Sequence, residues 1–589
     1  MSRKLLFLTL LLLTFTCTSD PAPETETDTP NEAFTTLLED YNEARLKLSP
    51  LDATFQGDPR YNDYLPNSLS TEHRMTMAAF YAGYAEQLAE LDRSTLTPVE
   101  QISYGILKWE TQINIEALNF REDLLPLDQF SGFHLMIGQL ASGASAQPFK
   151  TVEDYDNWLN RTTDFVDMLD TAMVRLNQGL ASGYVLPASL IVKLQAQVSD
   201  LTKEPIEDHL FYGPIRKLPN DMAAADRERL TSSYREMVQQ VATRFTTLDA
   251  QLRNNYAPQG RATSGISEIP NGDAYYKHLI KRYTTTDMTA NEIHELGLKE
   301  VARLTGEMEK VKAQVGYDSD LKSFFDYVRT KPELVPFDKP EQVIANFEAI
   351  HEKMKPQLER LFDQTPKTTF EVRRTEAFRE ASASAEYNPG SLDGTRPGIF
   401  YVPIPDVTTY NILSDEDLFL HEAIPGHHYQ FSLTQENEAL PAFRRTLWYS
   451  AYGEGWALYS ESLGKELGLY DDPYQYFGML SAEMHRAIRL VVDTGIHSKG
   501  WSREKAIQYS LDNEAESEAS ITAEIERYMA IPGQALSYKI GQLKILELRA
   551  KAEAKMGDDF DIKAFHNLVL SPGCVPLAVL ETMVNDWMN

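Results

Sequence analysis

His421-Glu422-Ala423-Ile424-Pro425-Gly426-His427-His428 sets three of the chain's twelve histidines beside one carboxylate. Imidazoles and carboxylates are the common donors to zinc, and a glutamate next to a ligand histidine is placed to take a proton from water. The stretch is a lengthened form of H-E-x-x-H, in which two histidines one helical turn apart hold the metal and the glutamate acts as base. Here the position four after His421 is Pro425, and the next imidazoles follow at six and seven residues. In a straight helix a residue six positions on is rotated by about 240° and displaced by about 9 Å, so His421 and His427 would not share an ion. Proline at 425 lacks the N–H that would bond the His421 carbonyl, and its ring clashes with that carbonyl. Gly426 accepts backbone angles closed to other residues. A break at Pro425-Gly426 is therefore expected to swing His427 back beside His421, with His428 open as the alternative second ligand.

A third ligand is needed. Within Ala451–Glu461 (AYGEGWALYSE), Glu454 and Glu461 are seven apart and share one helix face. Trp456, Leu458 and Tyr459 surround them, so this is not an ordinary solvated face. Glu454 completes a His/His/Glu set with an open position, and Glu461 becomes a carboxylate that orients an imidazole. Arg486, Arg489, Asp493 and His497 form a stripe at intervals of 3, 4 and 4 on an apolar helix, Tyr474–His497. That stripe reads equally as a buried polar network or as site machinery. In the second reading His497 donates to a developing oxyanion, Asp493 orients a neighbour, and Arg486 or Arg489 holds a substrate carboxylate. Tyr538, beyond the Pro532-Gly533 turn, is a further candidate oxyanion donor. Arg396 and Tyr401 are candidate substrate contacts.

The elements that must position these residues are mainly helical. Apolar positions recur at helical spacing in Ala33–Leu48, Thr71–Leu91, Val99–Leu118, Val152–Leu180, Ala225–Tyr256, Ala290–Val315 and Val343–Phe362. Thr289 with Glu292 forms a capping box. Gly260–Gly272 interrupts the helices as a hinge or surface loop. Thr368–Arg373 alternates like a strand and Gly398–Val402 is a short β-rich run, with a Gly/Pro/Asn loop from Tyr387 to Gly398 between them. Helices resume near Ser414. The expected fold is mainly α, with a small β-sheet next to the metal helix.

Arg3 and Lys4, the apolar run Leu5–Leu13 and Cys17 predict an export signal over 1–17, with Cys17 the candidate lipidation site. The run is too short to span a bilayer stably. Residues 18–31 (TSDPAPETETDTPN) read as a disordered tether. Residues 32–589 read as one large domain, divisible into lobes of about 32–365 and 366–589. The net charge of −31 argues against nucleic-acid binding and against charge-driven adhesion to anionic lipid, leaving a lipid anchor as the membrane contact. With Cys574 and Cys17 alone, the lipidated chain has no intramolecular disulfide.

HEAIPGHHYQ, GEGWALYSE, RLVVDTGIHSKGW and RYMAIPGQALSYKIG together resemble the bacterial family catalogued as domain of unknown function 885, as do SPLDATFQGDPRYND and the stretch from Ile269 to Val301. The chain is also distantly similar to carboxypeptidase Taq and other gluzincin-type metallopeptidases, which carry H-E-x-G-H and, downstream, two glutamates seven apart. The resemblance implies a large helical metallopeptidase-like fold with a deep cleft, one zinc ion per chain, and His427 in the family's G-H position. The implied activity is that of an exported zinc peptidase, periplasmic or anchored at the outer membrane, acting on short or flexible peptides. Glu422 would take a proton from water and pass it to the leaving amine. Two rival readings are a zinc hydrolase of another amide or an ester, and a catalytically silent peptide-binding lipoprotein.

Overall fold

The computed structural model describes residues 29–143, 145–202, 205–376, 380, 383–390 and 396–589. The export signal, Cys17 and the tether up to residue 28 lie outside the described residues. The first described helix, Glu32–Leu48, is capped by the Asn31 side chain, which accepts from the Phe34 N–H. The helices read from apolar period are present, among them α1 (Val152–Ser182), α2 (Ala224–Gln251), α3 (Ala290–Gln314) and α4 (Pro340–Leu361). The Thr289/Glu292 capping box is formed from both sides. Around the chemistry stand α5 (Asp415–Glu422), α6 (His427–Glu436), α7 (Ser450–Ser462), α8 (Pro473–Ser498), α9 (Glu518–Ala530) and α10 (Ser537–Met556). The fold is mainly α.

Three strands, β1 (Phe370–Arg374), β2 (Glu386–Asn388) and β3 (Gly398–Val402), make one sheet in the order β1-β3-β2. β1 runs parallel to β3, pairing Phe370 with Gly398, and β2 runs antiparallel, pairing Tyr387 with Phe400. β2 overlaps the start of the stretch read as loop, at Tyr387 and Asn388, because three residues are too few for an alternating pattern to show. The sheet packs on the helices through Phe400 against Phe347 at 5.1 Å and Phe370 against Phe419 at 6.1 Å between ring centroids.

Apolar packing does not divide the chain near residue 365. One core is built by residues between Leu65 and Tyr256, chiefly from α1, α2 and the helix Ala188–Asp200. A larger core joins the helices before it to everything from Ile266 to Met588, so α3 and α4 share an interior with α7, α8 and α10. A buried ionic cluster ties three of these together: the Lys539 ammonium, fully buried, lies 2.5 Å from Glu483 and 3.3 Å from Glu300, and Arg303 reaches Glu483 at 2.6 Å. Charges as buried as Lys539, Glu300 and Glu483 are tolerable only because each meets an opposite one, while Arg303 reaches in from the surface.

α7 and α10 cross at glycines. A Cβ on Gly541 would lie 1.8 Å from the Ala451 carbonyl oxygen and 2.7 Å from Gly455 Cα, so the two backbones touch. Gly541→Ala must push the helices apart, at a cost of roughly 1–3 kcal/mol from overpacking. We expect a lower melting temperature and, because Glu454 adjoins Gly455, weaker zinc binding in the same variant. Thermal denaturation and zinc titration check both, and an unshifted melting curve would show that the crossing is not tight.

Candidate metal centre

α5 brings His421 and Glu422 into the interior on a firmly held first turn. Asp415 accepts from Asn346 of α4 at 2.7 Å and from the Tyr410 hydroxyl at 2.9 Å. Glu416 pairs with Lys353 of α4 at 3.0 Å and accepts the Tyr470 N–H at 2.6 Å. Carboxylates at a helix N-terminus also meet the positive end of the helix dipole. The helix stops at Glu422, and the four residues 423–426 turn the chain before α6 starts at His427. Ala423 (φ −103°, ψ −103°) and Gly426 (φ −74°, ψ −129°) leave helical geometry, and the Ile424–Pro425 peptide is cis. Only glycine fits at 426, since a Cβ there would sit 1.9 Å from the His421 carbonyl oxygen. The indole N–H of Trp456 donates to the Pro425 carbonyl at 2.8 Å, fastening this turn to α7.

The turn does what the proline suggested, through four residues rather than two. The His421 and His427 rings lie 4.8 Å apart, at 89° to one another. Glu454 of α7 closes the group: its Oε2 is 3.4 Å from His427 Nε2 and 3.7 Å from His421 Nε2. One donor atom from each of the three lies within 4.8 Å of the others. Tetrahedral zinc with bonds of about 2.0–2.1 Å places neighbouring donors about 3.3–3.4 Å apart, so this spacing and donor set fit the ion. His421 Nδ1 meets Glu461 Oε1 at 2.6 Å, which turns Nε2 toward the group, as a carboxylate behind a ligand histidine does. Glu461 lies about two turns along the same face of α7 from Glu454.

Electrostatics follow from burial and proximity. Burial would lift the Glu454 carboxyl, but the two imidazoles hold it far below the usual carboxylate range. Burial raises the Glu422 carboxyl, and the imidazoles only partly offset this. Burial, then the Glu461 charge, pushes the Asp417 carboxyl well up. The Tyr470 hydroxyl donates to the Glu461 backbone carbonyl at 3.0 Å. Asp417, Tyr470 and Trp456 are supports that residue spacing did not single out; the acidic run before an apolar helix was the available signal for the first.

The other candidates divide. His428 points away: its Nδ1 lies 2.9 Å from the Tyr387 hydroxyl and 3.3 Å from Ser432 Oγ, and burial lowers it to about 4. His497 is not an oxyanion donor. Its Nδ1 accepts the Ile266 N–H at 2.9 Å and its Nε2 faces the Tyr528 carbonyl at 3.0 Å, so both nitrogens are used inside the core. The same contact docks Gly260–Gly272 onto α8, so this stretch is a surface loop packed at Ile266. Asp493 orients no ligand imidazole; it receives the Tyr276 hydroxyl at 2.5 Å and the Gly533 N–H at 3.1 Å, and burial raises it to about 7. Arg489 is held by Glu524 and the Tyr528 hydroxyl, each at 2.9 Å, with its guanidinium 4.5 Å from the Tyr538 ring centroid. The Tyr538 hydroxyl meets Arg527 at 3.4 Å, not an imidazole. The stripe was thus mostly the buried network. Arg486 differs: its charge lowers both Glu422 and Asp417, and its Nε has no hydrogen-bond partner among the described residues. Tyr401 sits in β3 opposite Arg373 and Glu386, and Arg396 is exposed at the start of the segment leading into β3. A cavity of about 330 Å³ lies elsewhere, between Lys322, Arg329, Gln508 and Glu518.

Residues 50–584 match the family described as bacterial protein of unknown function, DUF885. The chain belongs to that family. Among solved structures, a Colwellia psychrerythraea protein provisionally named a lipoprotein is 28% identical, with a TM-score of 0.86 over 94% of this chain and 98% of its own. A Shewanella oneidensis protein of unknown function, also provisionally named a lipoprotein, is 19% identical, with a TM-score of 0.74 over 93% of this chain and 99% of its own, and shares the fold. No curated protein matches the chain. Among the described residues no helix is long and apolar enough to cross a membrane.

The two adjacent histidines of this DUF885 chain are expected to separate cleanly. His427→Ala should lose most bound zinc, whereas His428→Ala should keep it and lose stability instead, through its bond to Tyr387. Metal content and melting temperature of both purified variants check this, and the opposite ranking would make His428 the ligand.

Proposed function

We propose that the protein is an exported zinc-dependent peptidase acting on short or flexible peptides. The observation that carries this reading is the convergence of His421, His427 and Glu454, with Glu422 next to the first ligand and Glu461 behind it. Zinc, when bound, supplies Lewis acidity that makes water acidic and polarises an amide carbonyl. Glu422 then accepts the water's proton and returns it to the leaving amine. Glu461 fixes the tautomer of His421 so that Nε2 faces the metal position. Arg486 brings a positive charge close to Glu422. His497 and Tyr538 have no part in this scheme.

Two glutamates that look alike in composition should behave differently. Glu422→Gln keeps every donor atom, so zinc should stay at one per chain while turnover falls by roughly 10²–10⁴-fold. Glu454→Gln replaces an anionic ligand by a weak neutral one, so zinc affinity should fall and excess zinc should restore part of the activity. Zinc stoichiometry and mass-spectrometric digestion of a peptide library by zinc-loaded protein read both. Full activity in Glu422→Gln would remove the base, and a library left intact by wild-type protein would remove the peptidase.

The export signal with Cys17 at its end, together with the provisional names of the two structural relatives, supports a lipid-anchored protein. We expect the native chain to fractionate with membranes and Cys17→Ser to be released or left unprocessed. Wild-type protein found wholly in the soluble exported fraction would overturn the anchor.

A further inference from the structure

Trp448 breaks the pattern of the site around it. Among its aromatic neighbours, Tyr429, Tyr452, Trp456 and Tyr459 are essentially buried and Phe431 is half-buried, whereas Trp448 remains 42% exposed. It lies in the irregular stretch just before α7, its ring centroid 6.0 Å from that of His427. An isolated exposed aromatic needs no explanation, but one held rigid against a candidate ligand does.

The indole is held from two sides. Phe431 of α6 stacks on it, 5.1 Å between centroids and 6° from parallel. Its six-membered ring rests on Gly453, where a Cβ would come within 2.0 Å of it. Gly453 directly precedes Glu454, so the glycine that admits the indole adjoins the carboxylate of the metal group. Phe431 in turn lies 6.1 Å from Tyr387, in the edge strand β2. Trp448, Phe431 and Tyr387 therefore form an aromatic line from the His427–Glu454 side of the site to the sheet edge.

We propose that Trp448 is the wall of an apolar subsite receiving an aromatic or large aliphatic side chain of the substrate residue that flanks the cleaved bond. The proposal rests on the peptidase reading above for the word cleaved, and on geometry alone for the subsite. A flat side chain with two rotatable bonds, already stacked and pinned, loses little freedom when a ligand covers it. Ring-on-ring contact adds to the area it removes from water. The line toward β2 gives an extended peptide a path along the same wall.

The test uses two otherwise identical peptides, one with Phe and one with Ala beside the candidate scissile bond. Binding is measured by calorimetry to zinc-loaded Glu422→Gln protein, with and without Trp448→Ala, and hydrolysis is measured with the native base in place. We expect the Phe peptide to bind about fivefold more tightly than the Ala peptide, and Trp448→Ala to erase that difference while zinc content holds. Trp448→Leu, which keeps apolar bulk over Gly453, should retain part of the preference and guards against simple misfolding. Hydrolysis should show the same Trp448-dependent ratio in kcat/KM. A Trp448-dependent binding preference without hydrolysis would keep the subsite and sink the peptidase. Equal binding of the two peptides by protein with Trp448 intact, or a preference that survives in Trp448→Ala, overturns the subsite whatever the hydrolysis shows.

Discussion

The hydrogen bond from the Trp456 indole to the Pro425 carbonyl joins the two halves of the candidate metal group. His421 and His427 stand on different helices, and only the turn between them sets their separation. That turn has left helical hydrogen bonding, so its carbonyls need partners from elsewhere. Trp456 supplies one from α7, the helix that carries Glu454. The helix carrying Glu454 and the shape of the turn are therefore tied by one buried contact. The close crossing of α7 with α10 then holds α7 in place.

Around this contact the interior is unusually polar for a packed core. Asp415, Asp417, Glu422 and Glu461 are all buried within one helical layer of the ligands. Each costs desolvation, and each has a specific partner or a shifted protonation state that makes the cost tolerable. The same rule explains the α8 stripe. Arg489, Asp493 and His497 are as buried as the ligands, but their partners are Glu524, Tyr276, Gly533 and Ile266, so they hold helices and loops together. Burial alone does not separate a site from a brace; the partners do.

Much of this could be read from residue order. Long helices announce themselves through period, and α1, α3 and α4 begin and end within a few residues of expectation. The convergence of His421, His427 and Glu454 was legible because proline and glycine at 425 and 426 leave few ways to continue, and because Glu454 and Glu461 repeat at a helical interval. β2 was not legible at three residues. The stripe from Arg486 to His497 showed that four polar residues share a face, but period does not say what that face looks at. Trp448 stands in a segment without period, so its place beside His427 appears only in three dimensions. The two apolar cores were not legible for a related reason: a change from helix to strand near 365 is a change of local structure, while cores are made by contacts distant in sequence.

Glu454 and Glu461 ride on a single unbroken helix, and this makes α7 a ruler. One residue inserted between them would rotate one carboxylate by about 100° relative to the other and detach either the ligand or its support. The stretch 437–449, irregular but for one short 3-10 helix, has no such constraint over most of its length. Gain and loss of residues over the history of this fold should therefore be tolerated between α6 and α7, and rejected within the seven-residue span that carries both carboxylates.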